Sequence, residues 1–338
     1  MSKIPIILGI ESSCDDTCAA ILQGKKILSN IVANQDIHKI YGGVVPELAS
    51  RVHQQNIIPV VDAAIKKANI KKEDITAIAF TKGPGLLGSL LVGGSFAKSF
   101  AMGMDIPLIA INHMQGHILS HFIDEGDPMP LFPFLCLTVS GGHTQIVKIE
   151  SQNKMEIMGT TIDDAAGEAF DKSAKILDLS YPGGPLIDKY AKNGNPHAFE
   201  FGKPKIKELN FSFSGLKTSI MRLIQKGIAE NHNFISENLE DLCASIQHSI
   251  VSILLKKLEK AIKQTGIKQL AIAGGVSANS YLRSELEQAA KIKGNQLYIP
   301  KFEYCTDNAA MIAIAGYFKY LDQDFAKQNE ISSARLLF

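Results

Sequence analysis

The chain has 338 residues, of which 46% are hydrophobic and 20% charged, and its mean hydropathy is +0.06. This composition is that of a soluble globular protein, and the length predicts two domains of ordinary size. The net charge of +1 excludes nucleic-acid binding through overall charge, so any such binding requires a local basic segment.

The first residues run directly into a strand pattern, with no signal-peptide architecture. Residues 86–104 form the most apolar long stretch, but serines and a lysine interrupt it, which predicts a buried helix rather than a membrane span. The cysteines are odd in number and scattered, which fits a reducing compartment. We therefore expect a cytoplasmic protein without a membrane segment.

One strand–loop pattern recurs along the chain. An apolar strand followed by a loop of small or polar residues occurs in residues 4–17 (loop ESSCDDT), 134–144 (loop SGGHT) and 270–279 (loop GGVSAN). The first two loops lead into another strand, and the third leads into a helix from about residue 281. This recurrence predicts a duplicated α/β architecture with a cleft between the halves.

A further glycine-rich segment, residues 83–89 (GPGLLGS), follows a strand and precedes the apolar helix. Glycines there allow close approach of a ligand, and a helix N-terminus favours anions. The segment is not a Walker A loop, because no Gly-Lys-Ser/Thr follows. A simple tight turn remains the alternative.

Two histidines begin the next helical segment. Residues four apart lie one turn apart on one helical face, so His113 and His117 can hold one divalent metal together. His121 would lie about 12 Å from His113 along the axis, too far to share the ion, so a third ligand must come from elsewhere. The alternative is a pair of hydrogen-bonded, half-buried histidines.

Acidic residues provide further candidates. Residues 163–172 (DDAAGEAFDK) predict a helix with acids in its first turns, which the helix dipole favours. Asp171 precedes the YPGGP turn of residues 181–185, a placement that could bring it and Asp188 to a ligand. Asp307 stands at or beside a helix N-cap, so it either caps that helix or completes a metal site.

Residues 201–226 carry six lysine or arginine residues against one glutamate. Phe211 and Phe213 lie among them. This pattern is typical of a solvated face, but it also suits a segment that binds phosphates and stacks a base, which predicts RNA contact as the functional alternative.

In combination, these motifs closely resemble the universal tRNA adenosine threonylcarbamoyltransferase family, over almost the whole chain and in order. The segments that carry the resemblance are residues 11–17 (ESSCDDT), 83–85 (GPG), 113–117 (HMQGH), 139–144 (VSGGHT), 212–218 (SFSGLKT), 274–279 (GGVSAN) and 305–308 (CTDN).

The resemblance implies an α/β fold of the actin-like, sugar kinase and Hsp70 (ASKHA) type, with a ligand cleft between two domains. The expected domains are residues 1–131 plus 305–338, and residues 132–304. It also implies that His113, His117 and Asp307 bind one divalent metal, Fe(II) or Zn, since two histidines and a carboxylate leave coordination positions open.

The family's substrate-binding positions fall on one set of residues here. They are Thr138, Val139, Ser140, Gly141, Gly142, Asp171, Gly184, Asp188 and Asn279, with Glu11 and Gly275 as further contacts. Thr138 departs from the family pattern, in which we expect leucine at this position in many relatives. The residues expected to contact tRNA are Lys203, Lys205, Lys207, Lys217 and Arg222.

The implied reaction transfers a threonylcarbamoyl group from threonylcarbamoyl-AMP to the exocyclic amine of the tRNA adenosine next to the anticodon, releasing AMP. No protein nucleophile is required. The implied partners are the anticodon arm of tRNA, a smaller paralogous subunit (TsaB-like) and a P-loop ATPase (TsaE-like). A separate synthase (TsaC/Sua-type) would supply the adenylate.

Three other functions fit parts of the sequence. A zinc peptidase requires glutamate directly after the first histidine of the pair, and Met114 stands there. A small-molecule kinase of the same superfamily would leave the His113–His117 pair unexplained. A non-catalytic ATP-binding scaffold would not account for all three metal-ligand candidates.

Overall fold

The computed structural model describes residues 4–202 and 206–338. The chain divides into two compact units, one formed by Met1–Met129 with Pro300–Phe338 and the other by Pro130–Ile299. The first unit is therefore discontinuous in sequence.

The first unit contains a mixed five-stranded sheet among its described residues. Its strands are β1 (Ile6–Glu11), β2 (Thr17–Gln23), β3 (Lys26–Ala33), β4 (Ala77–Gly83) and β5 (Leu108–Asn112). Its helices before residue 130 are α1 (His38–Tyr41), α2 (Pro46–Lys67), α3 (Leu87–Met104) and α4 (His113–Leu119). The strand order is β3-β2-β1-β4-β5, with β1–β2 and β2–β3 antiparallel and β1–β4 and β4–β5 parallel.

The second unit repeats this arrangement. Its strands are β6 (Phe134–Val139), β7 (Thr144–Ser151), β8 (Lys154–Thr160), β9 (Gln269–Ala273) and β10 (Gln296–Tyr298). Its helices are α5 (Ala166–Ile176), α6 (Gly183–Ala191), α7 (Ser214–Glu230), α8 (Phe234–Thr265) and α9 (Ser280–Lys293). The order β8-β7-β6-β9-β10, with the same pattern of directions, confirms the predicted duplicated α/β architecture.

A last helix, α10 (Ala309–Leu321), completes the first unit by packing on β1, β2 and β4. Small side chains allow it to lie close to the sheet: a Cβ on Gly316 would come within 2.4 Å of the Cβ of Ala79. This packing holds the loop that precedes α10 beside the loop that follows β1 and beside α4, which follows β5 directly.

The central strands are buried on both faces, since every residue of β1 and β6 is buried. This explains their continuous apolar sequences. Residues 87–104 form the predicted helix, α3, but it is buried on one side only, since Leu87, Leu91 and Met102 are exposed. Within the described part of the chain, none of the helices has both the length and the apolar character required to cross a bilayer.

One expectation about the elements is wrong. Asp163 and Asp164 do not lie in the first turns of a helix, because α5 begins only at Ala166. The Asp163 carboxylate instead accepts hydrogen bonds from the backbone N–H groups of Phe213 and Ser214, at 2.8 and 3.4 Å, at the start of α7. A carboxylate from a distant segment thus caps this helix.

Candidate metal centre and ligand cavity

The two histidines are presented by the junction of β5 and α4. Asn112 ends the strand and caps the helix, because its Oδ1 accepts the N–H of Met114 at 2.9 Å. The helical spacing then places the rings of His113 and His117 edge to face, with centroids 4.7 Å apart. Both side chains are buried.

Asp307 reaches the same point from the loop before α10. Its Oδ1 lies 3.4 Å from Nε2 of His113 and 3.2 Å from Nε2 of His117. Asp307 is not the helix cap, since Asn308 occupies that position and accepts the N–H of Met311 at 3.0 Å. The capping alternative considered for Asp307 is therefore wrong, and its carboxylate faces the histidines.

Glu11 lies behind His113. Nδ1 of His113 donates to Oε2 of Glu11 at 3.0 Å, and the hydroxyl of Ser13 lies 3.1 Å from the same nitrogen. Glu11 is fully buried and also accepts hydrogen bonds from the Thr81 hydroxyl and the backbone N–H of Ser13. A carboxylate on the far nitrogen fixes the orientation of a ligating histidine and leaves its Nε2 for a metal. The structure thus places Glu11 against His113 rather than at an open surface.

The ionisable side chains of this group shift one another's pKa values. Burial alone lowers the pKa of His113, but Glu11 and Asp307 outweigh it and raise that pKa well above its usual value. Burial also lowers the pKa of His117, which the hydrogen bond to Asp307 only partly offsets. Burial would raise the pKa of Asp307, yet the two histidines hold it well below its ordinary range. Without a metal, the two carboxylates thus favour the protonated form of His113, whereas burial favours the neutral form of His117.

These residues fit a divalent metal. One ligand atom from each of His113, His117 and Asp307 lies within 4.8 Å of the others, and among the described residues this is the group with that property. The buried Nδ1 of His117 has no hydrogen-bond partner in the described part of the chain. A metal requires ring nitrogens that carry no proton, so metal binding at Nε2 of each histidine would compete with protonation there.

A separate cavity of about 320 Å³ lies within the second unit. It brings together residues from two loops and two helices that the resemblance implied as substrate contacts: Gly141, Asp171, Gly184, Asp188, Gly275 and Asn279.

Two carboxylates in this cavity are held by neighbouring groups. Oδ1 of Asp171 accepts the backbone N–H groups of Gly183 and Gly184, at 2.9 and 3.1 Å. Burial raises the pKa of Asp171, and these two hydrogen bonds oppose that shift. Asp188 accepts from the hydroxyl and the backbone N–H of Ser280, at 2.8 and 3.2 Å.

Other predicted substrate residues do not line this cavity. Thr138 and Val139 belong to β6 and are fully buried, while Ser140 and Gly142 lie in the turn that follows. Gly274 explains how closely the loops meet: its φ is +87°, and a Cβ there would lie 2.5 Å from the carbonyl oxygen of Val139. Any other residue would push the two loops apart.

The basic segment is described only in part. Lys203 and Lys205 lie outside the described residues. Lys207 and Arg222 are exposed and Lys217 is half-buried, so these cations remain available to a polyanion.

The aromatic part of the RNA prediction is wrong. Phe211 and Phe213 are fully buried and lie nearly parallel, with ring centroids 6.4 Å apart, so neither ring can stack on a base. They fill the core of the second unit, and the serines beside them are engaged with Asp163.

Comparison with known proteins now decides the family. The sequence profile of TsaD, tRNA N6-adenosine threonylcarbamoyltransferase, matches residues 26–314. The tRNA N6-adenosine threonylcarbamoyltransferase of Christiangramia forsetii is 63% identical over 333 residues, which cover 98% of each chain. That of Riemerella anatipestifer is 61% identical over 334 residues, again 98% of each. The chain belongs to the tRNA N6-adenosine threonylcarbamoyltransferase family.

The solved structure of full-length HypF shares the fold of this threonylcarbamoyltransferase family member. It matches with a TM-score of 0.59 at 12% identity, over 94% of this chain and 46% of the HypF chain. The family resemblance and the ASKHA fold class predicted from the motifs are both confirmed. Family membership supports a transferase over the peptidase, kinase and scaffold alternatives.

The role of Glu11 beside His113 was missed by sequence reasoning. Its position at the end of a buried strand, before the ESSCDDT loop, marked it only as a candidate contact. The capping role of Asp163 was missed as well, because no local pattern connects it to residues some 50 positions later.

Proposed function

We propose that this chain transfers the threonylcarbamoyl group from threonylcarbamoyl-AMP to N6 of the adenosine immediately 3′ of the anticodon, in tRNAs that read codons beginning with A. The observation that carries the proposal is 63% identity, over 98% of the chain, to a tRNA N6-adenosine threonylcarbamoyltransferase. Two features of the structure support it: the His113–His117–Asp307 group, which suits a metal ion, and the cavity of the second unit, which suits the AMP part of the substrate.

The cavity of the second unit would bind the AMP part of the substrate. Asp171 and Asp188 carry acceptors suited to ribose hydroxyls, while Gly141, Gly184 and Gly275 allow the backbone to approach the ligand closely. The segment from Thr138 to Gly142 would contact the substrate through main-chain atoms, since the side chains of Thr138 and Val139 are buried.

The metal ligands would be His113, His117 and Asp307, with Glu11 orienting His113. Two imidazoles and one carboxylate suit Fe(II) first and Zn second. A bound divalent ion would supply Lewis-acid polarisation of the carbamoyl carbonyl.

In the reaction, the N6 amine attacks the carbamoyl carbon, the bond from that carbon to the AMP phosphate oxygen breaks, and N6 loses one proton. The chain's own residues bind and orient the reactants, and no side chain forms a covalent intermediate.

We propose that the phosphates of the anticodon arm are contacted by the exposed Lys207 and Arg222 and by Lys217. We propose the same contact for Lys203 and Lys205. The remaining parts of the proposal follow from the family: a TsaB-like subunit and a TsaE-like ATPase as partners, a TsaC/Sua-type synthase supplying the adenylate, and a cytoplasmic location. Residues 1–131 plus 305–338, and 132–304, are the proposed domains.

The test is to deplete the protein in its host and quantify threonylcarbamoyladenosine in digested tRNA by mass spectrometry. The nucleoside should disappear, return with the wild-type chain, and fail to return with His113→Ala. His121→Ala is the matched control, because His121 lies two turns from His113 and outside the metal group; it should restore the nucleoside. An unchanged nucleoside level after confirmed depletion would refute the function.

A further inference from the structure

Asn279 is fixed in orientation by the helix that follows it. It caps α9, and its Oδ1 accepts the backbone N–H of Leu282 at 2.8 Å. A carboxamide accepts only through its oxygen, so the cap determines which end of the side chain is the NH₂ group. Nδ2 of Asn279 therefore points away from the helix.

Gln247 of α8 receives that NH₂ group. Nδ2 of Asn279 donates to Oε1 of Gln247 at 2.6 Å, and both residues are buried, Asn279 at 9% and Gln247 at 4% exposure. Because Asn279 donates, Gln247 must present its oxygen, and its own NH₂ group turns the other way. Gln247 also lines a second cavity of about 290 Å³. The two carboxamides thus form a chain of fixed direction from α9 to α8.

One donor remains after these bonds are made. Asn279 carries two N–H bonds on Nδ2, and within the described residues only Gln247 accepts from them. Asn279 lines the 320 Å³ cavity that we propose for the adenylate. Because the bond to Leu282 turns its oxygen towards the N-terminus of α9, we take the remaining N–H as the group that the side chain offers this cavity.

We propose that Gln247 is a positioning residue that holds Asn279 as a hydrogen-bond donor, so that the ligand atom facing Asn279 is an acceptor, such as an oxygen or ring nitrogen of the adenylate. The inference rests on the proposed function for the identity of the ligand. Gln247 itself does not touch the ligand. Its oxygen acts by keeping the NH₂ group of Asn279 from turning away from the cavity.

The chemistry required at residue 247 is a hydrogen-bond acceptor. Glutamate keeps an oxygen toward Nδ2 of Asn279 and can place its second oxygen toward the 290 Å³ cavity, which Lys192 and Ser284 also line. Methionine has nearly the same length and lacks the acceptor. Gln247→Met therefore leaves a buried N–H without a partner, whereas Gln247→Glu does not.

The experiment measures AMP binding by calorimetry on the full-length chain, and KM and kcat for threonylcarbamoyl-AMP with the partner subunits present. Gln247→Met should raise the Kd for AMP and the KM by about tenfold with kcat nearly unchanged, the effect of one hydrogen bond. Gln247→Glu should remain within about threefold of wild type. Ile250→Val is the matched control, because it thins the buried face of α8 one turn away without touching Asn279.

Two outcomes would overturn the inference: wild-type AMP affinity in Gln247→Met, or equal losses in Gln247→Met and Gln247→Glu. If Gln247→Met does not fold, Asn279→Asp decides. Aspartate keeps the helix cap but replaces the donor by an acceptor, so AMP binding should fall, and unchanged binding would refute the donor role. A wild-type chain that neither binds AMP nor modifies tRNA would instead refute the proposed function.

Discussion

Nδ1 of His113 donates a hydrogen bond to Oε2 of Glu11 across 3.0 Å, although 102 residues separate the two in sequence. The contact joins the end of β1 to the start of α4. It determines which ring nitrogen of His113 faces Asp307, and hence which nitrogen a metal can use.

We predict that Glu11→Gln lowers the affinity for a divalent metal by roughly 10- to 100-fold, because a neutral amide attracts the Nδ1 proton of His113 less strongly than a carboxylate does. The measurement is a competition titration against a chelator of known affinity. Glu150→Gln in the second unit is a control for the chemical change. Equal affinities in the two variants would contradict a role for Glu11 behind the metal.

Asp307 and Asn308 are adjacent, but we predict that substituting the first affects metal binding and substituting the second affects stability. Asp307→Asn should lose bound metal while α10 keeps its cap. Asn308→Ala should retain metal but lose about 1 kcal/mol of stability, because it removes the cap of α10. Elemental analysis and chemical denaturation measure the two effects. Metal retention by Asp307→Asn would exclude that residue as a ligand.

Asp163 should make stability depend on pH. Burial raises its pKa, but hydrogen bonds from Ser212, Phe213 and Ser214 outweigh this and lower it. A carboxyl whose pKa is lowered on folding stabilises the protein above its ordinary pKa of 3.8, and this contribution is lost as the pH falls through the lower, folded pKa. Asp163→Asn should therefore cost about 1 kcal/mol at pH 7 and progressively less below pH 4.

Urea denaturation at several pH values measures this difference. The control is Asp62→Asn, which removes an exposed i,i+4 ion pair with Lys66 and should change stability by less than about 0.5 kcal/mol. If Asp163→Asn lowers the unfolding free energy by the same amount at every pH from 7 to 3, the charge of Asp163 is not the cause of the loss.

Two helical glycines should respond to alanine with opposite signs. In α10, a Cβ on Gly316 would lie 2.4 Å from the Cβ of Ala79, so Gly316→Ala should destabilise the chain by about 1–3 kcal/mol. In α3, Gly103 has no neighbour within 4 Å of such a Cβ, so Gly103→Ala should stabilise by roughly 0.5–1 kcal/mol. Thermal or chemical unfolding gives both values. Stabilisation by Gly316→Ala as well would show that helix propensity, rather than contact with β4, dominates at Gly316.

The sequence alone determined the local features of this protein. The i,i+4 spacing of His113 and His117 follows from helical geometry within one short segment, and the recurring strand–loop pattern indicated the duplicated sheets. Helix and strand periodicity are properties of neighbouring residues, so they can be read before the chain is folded. The combination of motifs was sufficient to indicate the family.

Tertiary structure alone decided which distant groups meet. It brought Asp307, which the family resemblance had already implied as a ligand, beside His117 across 190 residues, put Glu11 behind His113, and linked Gln247 to Asn279. It also buried Phe211 and Phe213, which the sequence had suggested for stacking. These pairings depend on strand order and on the packing of α8 and α10. No local pattern encodes them, because the groups come together only when the sheets and helices have assembled.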